Sequence, residues 1–269
     1  MIKMQESKKM GTAVVTGASS GLGSVYAERL AKRGYDLKLV ARRGDRLEAL
    51  ATKIRKEFGV TVTNIVADLG VGEDLKRVAN DLASDTEITT LINNAGTSTL
   101  NTFINTSIEK QMAMINVNIT ALTTLSNAVL PGFKNRDNGV LINIASVLGY
   151  HTLPISAVYS GTKGFVVYFT SGLQQEFKNT GVHIQLVLPS STATEIWDVG
   201  GVPISALDPA TVMTIENCVD ASLAGLDLKE AATWPSVEDE TLYRTYEDAR
   251  TQLFGATQTG KPASRYAIS

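Results

Sequence analysis

Tyr159 and Lys163 stand four residues apart in a stretch whose apolar spacing predicts a helix over 157–179. Their side chains therefore share one helix face, a turn apart. Of the eight tyrosines, only Tyr159 has a lysine four residues on. A phenol with its ordinary pKa of about 10 is a poor acid or base near neutrality. A neighbouring ammonium favours the phenolate and is expected to lower that value, which makes the pair a candidate general acid/base. Spacing alone also fits a surface tyrosine beside a surface lysine. Ser146 tips the balance: it closes a predicted strand over 140–144, where ligands bind in open α/β sheets, and its hydroxyl can donate to a carbonyl oxygen or simply cap its loop. Ala145-Ser146-Val147-Leu148-Gly149 lacks the Gly-x-Ser-x-Gly elbow of a serine hydrolase.

The elements that must position these groups alternate regularly. Short apolar runs at 12–16, 37–40, 60–66, 89–92, 140–144 and 182–188 read as strands. Amphipathic stretches at 22–33, 45–58, up to 83, 108–130 and 157–179 read as helices between them. A helix near 212–226, a short strand near Ala232 and an acidic helix near 238–253 follow. This rhythm implies a parallel sheet covered by helices on both faces. After the first strand comes Thr16-Gly17-Ala18-Ser19-Ser20-Gly21-Leu22-Gly23. Glycines there let the backbone approach a pyrophosphate at a helix N-terminus, so the turn is a candidate dinucleotide loop.

Composition excludes other classes. The 269 residues are 43% hydrophobic and 19% charged, with net charge −2, so no basic surplus points to nucleic acid or an anionic membrane. One cysteine, Cys218, and two histidines, His151 and His183, give no internal disulfide and no expected metal site. His151 lies between Ser146 and Tyr159 in sequence and is read as a solvated loop residue. The polar start and the lack of an uninterrupted run of 18 apolar residues lead us to expect no leader, no membrane span and a cytoplasmic location.

In order along the chain, these motifs resemble those of the short-chain dehydrogenase/reductase family, in its single-domain branch. The glycine loop is followed by Asp68-Leu69 after the third strand, Asn93-Asn94-Ala95-Gly96 after the fourth, Asn118 in the long helix, Ser146, and Tyr159 with Lys163. The resemblance covers residues 10–235 and implies a doubly wound Rossmann fold: one domain over 1–269, with a seven-stranded parallel sheet flanked by helices on both faces. It implies hydride transfer between a nicotinamide dinucleotide and a carbonyl/alcohol pair, the carbonyl being a ketone or aldehyde, 3-oxoacyl compounds included. Ser146 would orient the substrate oxygen, Tyr159 give the proton, Lys163 hold the nicotinamide ribose and tune Tyr159, and Asn118 support a relay water. By sequence alone Asn116 could equally be the residue facing the site. The cofactor would lie on Gly17, Ser19, Ser20, Gly21, Leu22 and Gly23, on Asp68 and Leu69, on Asn94, Ala95 and Gly96, and on Pro189, Thr192 and Thr194, with Tyr159 and Lys163 beside the nicotinamide.

Where the family favours an acidic residue after the second strand, Ala41 stands here, followed by Arg42 and Arg43. A carboxylate there would repel a 2′-phosphate, and Arg42 would grip one. NADP(H) is therefore expected over NAD(H); Arg43 would share the phosphate or, as the favoured reading, face solvent. After the sixth strand Ser190 replaces the family's glycine, which leaves open a second reading: an NADP(H)-binding regulatory protein that kept the fold without turnover. Residues 190–210 read as an irregular substrate lid, with Trp197 as a wall of an apolar pocket and Gly200-Gly201 as a hinge. The resemblance also implies a homodimer or homotetramer built on the two long helices, with Phe165, Val166, Phe169 and Leu173 adding apolar surface.

Overall fold

The computed structural model describes residues 10–266; the polar stretch before Met10, on which the expectation of no leader rests, lies outside them. Seven strands form one sheet: β1 (Thr12–Thr16), β2 (Asp36–Ala41), β3 (Val62–Val66), β4 (Ile88–Asn93), β5 (Gly139–Ile144), β6 (Val182–Val187) and β7 (Ala232–Thr233). Their order is β3-β2-β1-β4-β5-β6-β7, and each neighbouring pair is parallel. The order reverses between β1 and β4, and that reversal opens a crevice at the carboxyl ends of the strands.

Parallel strands buried on both faces need apolar side chains at successive positions, and β1 supplies them in Ala13, Val14 and Val15. Ala13 and Val15 join Leu37, Leu39 and Ile142 under α1 (Gly21–Lys32), α2 (Gly44–Phe58) and α8 (Ile215–Asp227). Val14 points the other way, joining Val40, Leu91 and Leu141 under α3 (Gly72–Ser84) and α5 (Leu122–Asn135). Burying one such side chain contributes about 1.5–3 kcal/mol, so the two layers fix the sheet between its helices. The expected doubly wound architecture is present.

The predicted helix over 108–130 is longer and is not uniform. α4 (Ile108–Ile115) and α5 are joined by a π-helical stretch, Asn116–Ala121. Among the described residues, Ile108–Asn135 is the one helix long and apolar enough to cross a membrane. In sequence it is no unbroken apolar run, because Glu109, Lys110, Asn116 and Asn118 interrupt it. In the fold its Leu125, Val129 and Phe133 are buried in the core.

The segment read as an irregular loop also gains structure. It contains α7 (Ile196–Gly200) and short 3₁₀ turns at Ile204–Ala206 and Pro209–Thr211. A helix of five residues has too few turns to show a period. The chain divides into two compact units, Met1–Pro235 and Ser236–Ser269. The first carries the sheet. The second is built on α9 (Thr241–Ala256), which exposes Leu242, Tyr246, Leu253 and Phe254.

Candidate active site

Two residues past β5, Ser146 is in extended backbone (φ −170°, ψ 157°), and its hydroxyl accepts from the N–H of Leu148 at 3.1 Å. The loop it opens lies directly on α6 (Ala157–Phe177). Gly149 permits this approach, since a Cβ there would come within 2.9 Å of the Lys163 carbonyl oxygen. Close approach places the Ser146 hydroxyl beside the Tyr159 phenol, where it acts to lower the phenol's pKa. Lys163, one turn along, is buried; its ammonium donates to the Ile144 carbonyl at 2.9 Å and sits 5.8 Å from the Tyr159 ring centre. Sequence spacing thus brings the three groups together as expected.

Their protonation differs from the expectation. Burial pushes the Tyr159 phenol up to about 12, with the Ser146 hydrogen bond acting against it, and burial pulls Lys163 down to about 8. The anticipated lowering of Tyr159 by the ammonium does not prevail, because desolvation of the buried phenolate dominates. Tyr159 is therefore a neutral phenol at neutral pH, holding the proton it would donate.

Asn118 sits in the π-helical stretch and is buried. Its Oδ1 accepts from Thr97 N–H at 2.9 Å, while its Nδ2 donates to the Thr97 carbonyl and to Thr162 Oγ1, each at 3.0 Å. The side chain clamps the loop after β4 onto α6. Asn116, its alternative in the sequence, lines the cleft. His151 is exposed and does not line the cleft. Among the described residues no group of His, Cys, Asp and Glu could hold a metal ion.

The cleft has a volume of about 820 Å³ and runs from Arg42 and Asp68, past the glycine loop, to Ser146 and Tyr159. That is the size of a cofactor site. Three features of the loop fit a dinucleotide. Gly17 and Gly21 have positive φ (67° and 58°). A Cβ on Gly23 would lie 2.4 Å from the Gly17 carbonyl oxygen. The N-terminus of α1 has no side-chain cap bond from Ser20 and no acid in its first turn, leaving N–H groups free for an anion. Leu22, Asn94, Ala95 and Gly96 also line the cleft. Asn94 holds the loop to β1, donating through Nδ2 to the Thr16 carbonyl at 2.9 Å.

At the adenosine end, Asp68 and Leu69 line the cleft, with Asp68 Oδ1 accepting from Gly70 N–H at 2.9 Å. Arg42 is 75% exposed at the rim, 3.8 Å from Asp68. Arg43 is half-exposed, but its guanidinium is not turned away into solvent as the favoured reading had it. It lies over the glycine loop, donating from Nη2 to Ser20 Oγ at 2.7 Å and from Nε to Ser19 Oγ at 3.2 Å. Two hydroxyls and a carboxylate, all outside its own strand, determine its direction, and adjacent sequence positions could not reveal that.

On the far side, the Pro189 carbonyl accepts from Val147 N–H at 3.0 Å, Thr192 makes a bridge to Met213, and Thr194 faces Gly21. Ser190 is not among the described non-glycine residues with positive φ, so its Cβ costs no backbone strain in place of the family's glycine. Trp197 lines the cleft, and its indole N–H donates to the Thr192 carbonyl at 2.9 Å. Gly200 is no free hinge: it is buried, and a Cβ there would lie 2.6 Å from Ser98 Oγ. Left-handed freedom falls to Gly201, at φ 86°. Leu100, Met112, Leu148, Leu153, Ile196 and Val199 complete a mostly apolar wall. Of these, Ile196 and Val199 belong to the segment 190–210 read as the lid, where they are apolar residues in a polar loop.

Known proteins resemble this chain in sequence and fold. Against a short-chain dehydrogenase from Sphingobium yanoikuyae in complex with NADPH the chain is 39% identical with a TM-score of 0.92, covering 96% of this chain and 100% of that one. Against a bulky-bulky ketone specific alcohol dehydrogenase from Comamonas testosteroni the values are 35% and 0.89, over 97% and 100%. Among curated proteins, a very-long-chain 3-oxoacyl-CoA reductase from Anas platyrhynchos is 39% identical over 188 residues, 68% of this chain and 60% of that protein. The chain thus spans about 60% of the length of such relatives. The family model for short chain dehydrogenases matches residues 11–199, and with the ordered motifs and the parallel sheet just described, the chain belongs to the short chain dehydrogenase family.

Proposed function

We propose that the protein is an NADP(H)-dependent oxidoreductase that interconverts an uncharged ketone bearing apolar substituents and its secondary alcohol. The observation that carries this reading is the convergence of Ser146, Tyr159 and Lys163 on one cleft with an open dinucleotide cradle at its other end. The main-chain N–H groups of the glycine loop would hold the pyrophosphate, Asp68 and Leu69 the adenine, Arg42 and Arg43 the 2′-phosphate, Lys163 the nicotinamide ribose and Thr194 the carboxamide. The cofactor, when bound, supplies the hydride. Ser146 orients the carbonyl oxygen, and Tyr159, a neutral phenol in its buried setting, delivers the proton to that oxygen as the alcohol forms. The apolar wall around Trp197 excludes water and favours bulky substituents; the names of the relatives, ketone-specific and 3-oxoacyl-CoA enzymes, agree with a ketone. Ser190, whose substitution suggested a regulator without turnover, brings no strain that would disable the site.

A ketone panel that includes aryl ketones and 3-oxoacyl thioesters, followed by NADPH oxidation, tests the reading. Tyr159→Phe should lower kcat by about 10²–10⁴-fold and leave NADPH affinity unchanged. Near-normal turnover by that variant would remove Tyr159 from its role. A homodimer or homotetramer is part of the same proposal. Neighbouring helices α4 and α6 expose Ile108, Met112, Phe165 and Tyr168, whereas Val166 and Leu173, expected on that surface, pack inward. A monomer by light scattering at micromolar concentration would reject it.

A further inference from the structure

Glu195 received no role from the sequence. It follows Thr194 directly and precedes α7. Both its carboxylate oxygens are held by cations from the β2–α2 connection and α2: Oε2 accepts from Arg43 Nη1 at 2.8 Å, and Oε1 from Arg46 Nη1 at 2.7 Å. Arg43 carries the connection on to the glycine loop through Ser19 and Ser20. Beside it, a Cβ on Gly21 would lie 3.4 Å from Thr194 Cγ2, so the base of the lid rests on that loop. At its other end the lid is tied to the loop after β4: Ser98 Oγ donates to the Ile196 carbonyl at 3.0 Å, and Leu100 N–H to the Gly200 carbonyl at 2.8 Å.

These bonds join elements on opposite sides of the crevice. Arg43 and Arg46 belong to the β2–α2 side and Glu195 to the β6–α7 side, while β1 and β4, where the strand order reverses, lie between. The line that joins them runs along the same edge of the sheet as the cleft, which reaches from Asp68 to Tyr159, and Arg43 and Glu195 both line that cleft. We propose that Glu195 is the latch of the cofactor cleft: its bonds to Arg43 and Arg46 retain the bound dinucleotide and must open for it to leave. This rests on reading the cleft as a nicotinamide dinucleotide site, and it makes Glu195 a positioning residue acting through the two arginines. The guanidinium groups hold the Glu195 carboxyl down at about 2, so the latch stays charged throughout the neutral range and does not switch with pH there. It responds to salt instead, because all three side chains are 39–49% exposed and exposed pairs are screened.

The test is the dissociation rate of NADPH, and separately of NADH, followed by nucleotide fluorescence after displacement with excess oxidised cofactor. Two exposed ion pairs are worth a modest amount, so Glu195→Gln should speed release of both cofactors by about two- to thirtyfold. Arg46→Gln should give a smaller acceleration, and the double variant should be no faster than Glu195→Gln. Added salt should speed release from the wild type and have less effect on Glu195→Gln. Unchanged rates overturn the latch. So does slower release, which would make Glu195 a repeller of cofactor phosphate, and so does acceleration confined to NADPH, which would make it a local modifier of the 2′-phosphate contact. If the wild type binds neither nucleotide, the cofactor reading fails and the latch with it; binding with unaltered release rates removes the latch alone. A Gln of the same shape at a half-exposed site keeps the fold, and an unchanged thermal midpoint of the cofactor-free variant checks this.

Discussion

Lys163→Met should stabilise the cofactor-free protein while disabling it, and the effect should depend on pH. Lys163 is held at about 8 against an ordinary 10.5 because its ammonium is buried. Below pH 8 the group is charged in both folded and unfolded chains, so the full cost of burial is present, about 3 kcal/mol for that drop. Between 8 and 10.5 the folded protein has released the proton while the unfolded chain still binds it. Stability therefore rises with pH across that window. Methionine removes the cost but forfeits the hydrogen bond to the Ile144 carbonyl, worth about 1.5–3 kcal/mol for a charged donor. The variant should come out level or up to about 2 kcal/mol more stable at pH 7. Its standing against the wild type should fall by about 2 kcal/mol on going to pH 9.5 as the lysine cost fades. Tyr159 does not confuse the comparison, since its shift to about 12 acts only above pH 10. Urea unfolding of both proteins at pH 7, 8 and 9.5 reads the difference. A stability gap that stays constant across that range would refute the argument.

Arg43→Ala and Arg42→Ala, titrated with NADPH and NADH, should each erode the preference for NADPH, by about ten- to a hundredfold where a charged hydrogen bond to phosphate is lost; Arg43, already bonded to the loop hydroxyls, should show the larger loss, and unchanged preference in both variants would sink the 2′-phosphate assignment. Gly23→Ala should abolish binding of either cofactor in calorimetry, because its Cβ would sit 2.4 Å from the Gly17 carbonyl oxygen; wild-type affinity would show that the loop can yield. Trp197→Ala should raise KM for bulky ketones more than it lowers kcat, and equal kinetics would exclude the indole from the substrate wall.

The parts of the molecule that were legible in the sequence are those written in local chemistry. Strands β1 to β6 show as apolar runs, the glycine loop as a spacing, and Tyr159 with Lys163 as one helix face. What was not legible depends on partners distant in the chain. Arg42 and Arg43 are adjacent and alike, and only Ser19, Ser20 and Glu195, brought up by tertiary structure, distinguish them. The raised pKa of Tyr159 comes from its burial in the folded chain, which the spacing of Tyr159 and Lys163 does not show. Gly200 has the composition of a hinge but is a docking point, because Ser98 fills the space a side chain would need.

The π-helical stretch at Asn116–Ala121 has a geometric consequence for the long helix that contains it. An inserted residue in one turn acts as a phase shift of about 100° between the segments on either side. Met112, before the stretch, and Asn116, its first residue, line the cleft; beyond it, Leu125, Val129 and Phe133 are buried in the core. The shift sets the angle between the cleft-lining and the core-facing side chains of one rod. Deleting one residue from this stretch would return the rod to a single phase, forcing either the cleft wall or the core to rotate out of place, and the length of this turn is therefore as much a determinant of the site as the side chains that line it.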